Sequence, residues 1–278
     1  LAQPDDGGDL RLAPWEKKLL RDVAWSTIFM VEIRSEQRGR AVVAWFKGLK
    51  HRFYEDRYRI LTRETPLVQR QTRGEIFAVF DGISSEKGGM SAAQLMSDRL
   101  LSFYKEPDKY SPSFESLQQI LLEANNTIYA WGLLPGSSIN KGGCAGTVIW
   151  IHGNRLFSFH AGDTVALLLR DNNGEQFTDL HELNNALYRF FGLGPELELD
   201  IKRMELKEFD HILMVTDGVS KVIHPLEAGT LVSSMLEEHG DPARAARRLV
   251  ATAHSRGSTD DITVLLIEMD EFWYPDQE

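Results

Sequence analysis

Apolar positions follow two rhythms along this chain. Compact runs rich in bulky and β-branched residues occupy 41–46, 58–61, 75–80, 145–151, 155–160, 164–170, 211–216 and 262–269, the composition of strands buried in a sheet. Elsewhere the spacing is helical. Apolar groups at 92, 93, 95, 96, 100 and 103 predict an amphipathic helix to about Tyr104, and Leu117, Ile120, Leu121, Ala124, Ile128 and Trp131 predict a second, closed by Gly132 and Pro135. Further helices are predicted over 225–239 and 242–254, the latter with Ala243, Ala246, Leu249, Val250 and Ala253 on one face. The stretch 15–29 fits a helical face, but Trp25-Ser26-Thr27-Ile28-Phe29 reads equally well as extended.

Turn chemistry separates these elements. Residues 83–89, with Gly88 and Gly89, predict a flexible stretch, while His152-Gly153-Asn154 and Ala161-Gly162-Asp163 read as hairpin turns. Residues 180–199 are irregular, with room for a short helix at 185–191. Strands group with strands and helices with helices, which argues for an α+β layer protein of antiparallel sheets covered by helix pairs, not an alternating βαβ fold. Residues 1–40 then form an N-terminal extension, 41–270 one compact catalytic domain and 271–278 a C-terminal tail.

Composition narrows the partners. With 278 residues and 42% apolar content the chain can bury a substantial core. A net charge of −10 argues against a nucleic-acid or anionic-membrane surface, despite local basic runs at Lys17-Lys18 and 47–52. The lone cysteine, Cys144, excludes an intramolecular disulfide and suits a reducing compartment, so a cytoplasmic monomer is expected. No apolar run approaches the roughly 20 residues needed to span a bilayer. The first residue is Leu, not Met, so the numbering can start inside the native chain.

The chemistry lies where apolar runs meet acids. Phe77-Ala78-Val79-Phe80 ends in Asp81-Gly82, Ile212-Leu213-Met214-Val215-Thr216 ends in Asp217-Gly218, Asp260-Asp261 precedes Ile262, and Glu55-Asp56 precedes Arg57. A single Asp-Gly is ordinarily only a turn. The repetition predicts strand ends converging on one rim, where carboxylates repel unless cations lie between them. Oxygen-only donors select Mg²⁺ or Mn²⁺ over zinc, and paired ions of that kind activate water and clamp phosphoryl oxygens. Phosphate-ester hydrolysis is the predicted reaction class.

The ordered set Tyr54-Glu55-Asp56, Val79-Phe80-Asp81-Gly82, Ala145-Gly146-Thr147, Ala161-Gly162-Asp163-Thr164, Val215-Thr216-Asp217-Gly218 and Gly257-Ser258-Thr259-Asp260-Asp261-Ile262-Thr263-Val264 resembles the PP2C-type (PPM family) metal-dependent serine/threonine phosphatases, from about Gly48 to Met269. The resemblance implies a four-layer α-β-β-α sandwich, agreeing with the grouping above. It implies that Asp81 bridges two metals with the Gly82 carbonyl completing one site, that Asp217 and Asp260 hold the first metal, and that Glu55 and Asp56 serve the second. Asp163 resembles the residue that, with Asp217, supports a third, weaker ion. A metal-bridging water would attack the phosphorus of phosphoserine or phosphothreonine directly, leaving Asp81, Asp217 and Asp260 as the catalytic set and phosphoproteins as substrates in a signalling role.

The chain departs from that pattern in places. Asp261 stands where an Asn is common. His51 holds the place of a phosphate-gripping Arg, with Arg52 beside it and Lys50 before, so either cation is a candidate after a one-residue loop shift. Ile83 stands where many members carry a His proposed as general acid, and no acid is assigned. Cys144 and His160 read as core residues, and His181, His224 and His254 as solvated side chains. Two other readings stay open: a catalytically weak or inactive regulatory module with the same fold, and a metallohydrolase for small phosphate esters. The short segment 184–197, where the family carries its flap, predicts an open and weakly selective cleft.

Overall fold

A computed structural model describes residues 32–83, 87–133, 142–184, 186–270 and 272. In chain order the elements are β1 (Arg34–Arg38), β2 (Ala41–Phe46), β3 (Arg57–Leu61), α1 (Pro66–Gln69), β4 (Glu75–Ile83), α2 (Lys87–Arg99), α3 (Ser102–Lys105) and α4 (Phe114–Gly132). There follow β5 (Gly143–His152), β6 (Arg155–Ala161), β7 (Val165–Arg170), β8 (Asn173–Gln176), β9 (Glu182–Leu183), β10 (Ala186–Leu187), β11 (Asp200–Glu205) and β12 (His211–Val215). The chain continues through α5 (Asp217–Ser220), α6 (Pro225–His239), α7 (Pro242–Ser255) and β13 (Ile262–Glu268). The reading of 15–29 falls outside the described residues.

Two antiparallel sheets form the centre: six strands in the order β1-β2-β13-β12-β7-β8, and five in the order β11-β6-β5-β4-β3. Side chains alternate across each strand. In β4, Phe77 and Val79 meet Val43, Met214 and Leu265 between the sheets, while Ala78 and Phe80 face outward onto Met96, Leu117, Ile120 and Ala124. In β2, Val42 and Ala44 turn toward Ala246, Leu249 and Val250 of α7. Each central strand is thus covered by a sheet on one face and helices on the other. That is why antiparallel strands here read as unbroken apolar runs, and the result is an α-β-β-α sandwich.

The helix ends follow from local chemistry. Ser113 accepts a hydrogen bond from Ser116 N at 3.3 Å ahead of α4, and Asp241 accepts one from Arg244 N at 3.0 Å ahead of α7. Among the described residues no helix is long and apolar enough to cross a membrane.

Several expectations change. Strand β4 does not stop before Asp81-Gly82 but runs on to Ile83, with Asp81 opposite Ala145 and Gly82 opposite Cys144. Ala161-Gly162-Asp163 is not a hairpin: β6 and β7 belong to different sheets, and Gly162, at φ 120°, turns the chain from one to the other. Gly88 and Gly89 lie inside α2; a Cβ on Gly82 would stand 2.7 Å from the carbonyl carbon of Gly89, so strand and helix backbones meet there. In the stretch 185–191, Ala186–Leu187 pairs with Glu182–Leu183 as a small ribbon, where a helix was expected. Strands β1, β8 and β11 went unread because sheet-edge strands such as RSEQR and DIKRME carry polar side chains and no apolar run. The extension drawn through Arg40 therefore supplies an edge strand, with Arg38 paired to Ala41.

Candidate active site

Register brings the acids to one rim. Arg57 pairs with Phe80, so one step beyond the ladder Asp56 faces Asp81. Val215 pairs with Val165 at the end of the β12–β7 ladder, two residues before Asp217 and two after Asp163, and the charges of those two acids act on each other. The carboxyl groups of Asp81 and Asp217 lie in hydrogen-bonding contact, and the charges of Asp56 and Asp163 also act on Asp81. Burial first, then Asp217, Asp56 and Asp163, push the Asp81 carboxyl well above the usual carboxylate range. Asp163 is raised to about 6 by burial and by Asp217, against the opposing pull of Lys221.

Asp56 is fully enclosed. Its Oδ2 accepts from Thr216 Oγ1 at 2.9 Å and from Thr263 Oγ1 at 2.5 Å, while Thr263 N donates to Thr216 Oγ1 at 3.1 Å. The Tyr54 hydroxyl lies 2.5 Å from Thr263 Oγ1. Because the Thr263 proton goes to Asp56, Tyr54 is the donor in that pair. Burial, with Asp261 and Asp217 adding to it, still raises the Asp56 carboxyl well above its ordinary pKa in spite of both hydroxyl donors.

A second group forms around Asp260. Lys50 Nζ lies 2.5 Å from Asp260 Oδ2, and His51 stands between Asp260 Oδ1 at 3.5 Å and Glu55 Oε2 at 3.8 Å. Lys50 also feels Asp217 and Lys221, which joins this group to the first. Asp261 has a different task from its neighbour: Oδ1 accepts from Gly48 N at 2.9 Å and Oδ2 from Glu55 N at 2.6 Å, pinning the 48–55 loop to the start of β13. Gly218 closes the arrangement, since a Cβ there would stand 2.0 Å from the Asp261 carbonyl oxygen.

Of the predicted phosphate contacts, His51 meets the acids, whereas the exposed Arg52 lies over the Phe53 ring at 5.2 Å. Cys144 is buried, and burial with Asp81 beside it pushes its thiol well up, so it stays an inert core residue. His160 is a satisfied core histidine. Its Nδ1 accepts from Thr147 Oγ1 at 2.8 Å, and its Nε2 donates toward the carbonyls of Gly162 and Asp179 at 3.1 and 3.0 Å. His181 is not solvated as expected: it is buried, accepts from Gly162 N at 3.0 Å and reaches Asp200 at 2.9 Å. Both histidines hold the crossover that carries Asp163.

The donors are all oxygen, the set for a hard divalent cation. Glu55 Oε2 is buried without a hydrogen-bond partner, His51 Nδ1 standing 3.8 Å away. Among the described residues no three His, Cys, Asp or Glu side chains are gathered around one point. Lys221 holds Asp217 and Lys50 holds Asp260, each drawing a carboxylate toward an ammonium. Lys221, Thr216 and Thr263 were not read from sequence. The signal for Lys221 was its place four residues after Asp217, which matters only once 217–220 is helical. The threonines had none, being hydroxyls within apolar runs.

Residues 61–260 match the profile of the family described as Protein phosphatase 2C. The integrin-linked kinase-associated serine/threonine phosphatase 2C of Rattus norvegicus is 27% identical, over 71% of this chain and 63% of its own length. Serine/threonine protein phosphatase PstP of Mycobacterium tuberculosis is 24% identical, over 72% of this chain and 41% of its own. This chain thus spans less than two thirds of either relative. In fold it is similar to the solved Mycobacterium tuberculosis serine/threonine phosphatase PstP/Ppp, with a TM-score of 0.67 at 22% identity over 84% of this chain and 99% of that one. It is also similar to Stp1 of Staphylococcus aureus, with a TM-score of 0.72 at 16% identity over 84% and 96%. The matched profile covers well over half the sequence and includes Asp81, Asp163, Asp217 and Asp260: the chain belongs to the protein phosphatase 2C family.

Proposed function

We propose that this chain is a divalent-metal-dependent phosphatase that removes phosphate from phosphoserine and phosphothreonine in proteins. The observation that carries the reading is the contact between the Asp81 and Asp217 carboxyls, with the charges of Asp56 and Asp163 also acting on Asp81. Burying acids side by side is costly, and cations offset that cost.

In this reading Asp81, the Gly82 carbonyl, Asp217, Asp260, Glu55 and Asp56 would hold two Mg²⁺ or Mn²⁺ ions. Bound there, such ions supply charge neutralisation for phosphoryl oxygens and activate water. The remaining work is done by side chains of the chain itself. Thr216 and Thr263 both donate to one oxygen of Asp56, Oδ2, and fix the orientation of its carboxyl group. Asp261 fixes the backbone that carries Glu55. Lys50 offers positive charge to an incoming phosphate with His51 beside it, so most of the rate enhancement comes from positioning and electrostatics. A hollow of about 270 Å³ is lined by Ile83, Ile128, Phe190 and Leu193 among others, Ile83 lying two residues along β4 from Asp81.

The regulatory-module reading draws support from the ion pairs of Lys50 with Asp260 and Lys221 with Asp217, which neutralise two acids without metal. Phosphate release from a phosphothreonine peptide, measured with Mn²⁺, with EDTA and with Asp81→Asn, separates the two. Turnover only in the first arm supports the enzyme. Equal turnover in all three overturns the metal mechanism, and none in any supports the module. A nucleotide monoester run beside the peptide tests the choice of protein over small-molecule substrate.

A further inference from the structure

The family likeness implies a third ion held by Asp163 and Asp217, but this chain brings its own cation to that pair. Asp217 opens the helical turn α5, and Lys221, the residue after it, donates its backbone N–H to the Asp217 carbonyl at 3.0 Å. Side chains on a helix lean toward its N-terminus, and residues four apart share a face. The lysine stem therefore runs back over the turn, and its ammonium bonds Asp217 Oδ2. The β12–β7 ladder ends at Val215 and Val165, two residues from Asp217 and Asp163, and the charges of Asp217, Asp163 and Asp81 all act on that ammonium.

An ammonium and a divalent ion cannot share one carboxylate oxygen, so the ammonium on Asp217 Oδ2 bars a dication from that oxygen and leaves Oδ1 to the first metal proposed above. The ammonium has three donors and no lone pair, so it competes for oxygens and never completes a coordination shell. A dication entering beside Asp163 would meet a positive charge in contact with the same Asp217 and would have to displace it. The helical turn holds that charge close, which distinguishes Lys221 from a surface lysine that merely visits an acid.

We infer that the Lys221 ammonium, bonded to Asp217 and drawn by the charge of Asp163, is the resident cation of that pair, so that no third divalent ion binds there. The inference rests on the metal-dependent reading above, and its test reads ion number, not turnover.

Bound Mn²⁺ per chain is counted by equilibrium dialysis with elemental analysis for wild type, Asp163→Asn, Lys221→Ala and the double variant. Thermal melts against Mn²⁺ concentration run in parallel. The expected result is an unchanged count in Asp163→Asn, one more ion in Lys221→Ala, and return to the wild-type count in the double variant. A drop in count on Asp163→Asn alone overturns the inference, as does a Lys221→Ala count equal to wild type. Lys221 is half exposed, so its truncation leaves the core intact. Should wild type bind no Mn²⁺, the metal-dependent reading fails on that measurement alone. The Lys221 inference is still decided by the difference between variant and wild type.

Discussion

Asp81, on a strand of the five-stranded sheet, and Asp217, at the head of the turn that follows a strand of the six-stranded sheet, have their carboxyl groups in hydrogen-bonding contact. Two sheets packed face to face deliver one acid each to the same rim. Neither element alone makes the site, because the contact exists only when both sheets are in register across the shared core of Phe77, Val79, Met214 and Leu265.

Asp81→Asn removes one of two touching acids. Without metal the variant is expected to melt at a higher temperature than wild type at neutral pH, since a neutral amide costs less beside Asp217 than a second carboxylate. With Mn²⁺ the order reverses, and phosphopeptide turnover falls at least as far as the ~10–100-fold typical of lost supporting groups around a metal. Paired melts with and without Mn²⁺ check both halves.

Thr263→Val deletes a hydroxyl that donates to Asp56 at 2.5 Å while keeping the shape of the side chain. Both Asp56 and Tyr54 then lose a partner inside the protein. A loss of about 1–3 kcal/mol in stability is expected, from the cost of an unpaired buried polar group. Mn²⁺ affinity is expected to weaken about 10-fold or more, measured by isothermal titration.

Gly218→Ala tests how closely the Asp217 turn lies on the β13 side. The added methyl would stand 2.0 Å from a backbone oxygen that cannot rotate away. Overpacking of this kind costs about 1–3 kcal/mol, and the displaced turn carries Asp217 with it. Activity is expected to fall further than stability, which urea unfolding and initial rates on the same preparation resolve.

His160→Gln isolates a pH effect. In the folded chain the imidazole is lowered from 6.5 to about 4, first by burial and then by His181. The unfolded chain therefore binds more protons between those values, and stability is lost as pH falls from about 6.5 to about 4, by up to about 3 kcal/mol. Asp163, raised to about 6, acts with the opposite sign, its stabilising effect being lost as pH rises through that value. The quantity to compare is therefore the difference between wild type and variant in EDTA. The wild type should lose its advantage over His160→Gln as pH drops from 7 to 4.5, and a constant difference would remove His160 from the account.

Much of the site was legible in the chain as written. Asp81, Asp217, Asp260 and the pair Glu55 and Asp56 each interrupt or flank an apolar run, and the central strands are long enough and apolar enough to be read without a structure. The two helix pairs were legible for the same reason, since a face that must be covered repeats at helical spacing. The edge strands left no such trace, because a strand with water on its flank can be built from Arg, Ser, Glu and Lys.

Residue order along the chain thus determined which groups are acidic, which segments are buried, and that the acids lie at the ends of those segments. Only the tertiary structure decided which acid faces which, that Asp261 pins a loop while Asp260 faces Lys50, that two threonines hold Asp56, and that Lys221 reaches Asp217. The reason is physical: burial is a property of one side chain and repeats along the sequence, whereas the partner of a buried charge depends on the register between strands far apart in it, which local composition does not encode.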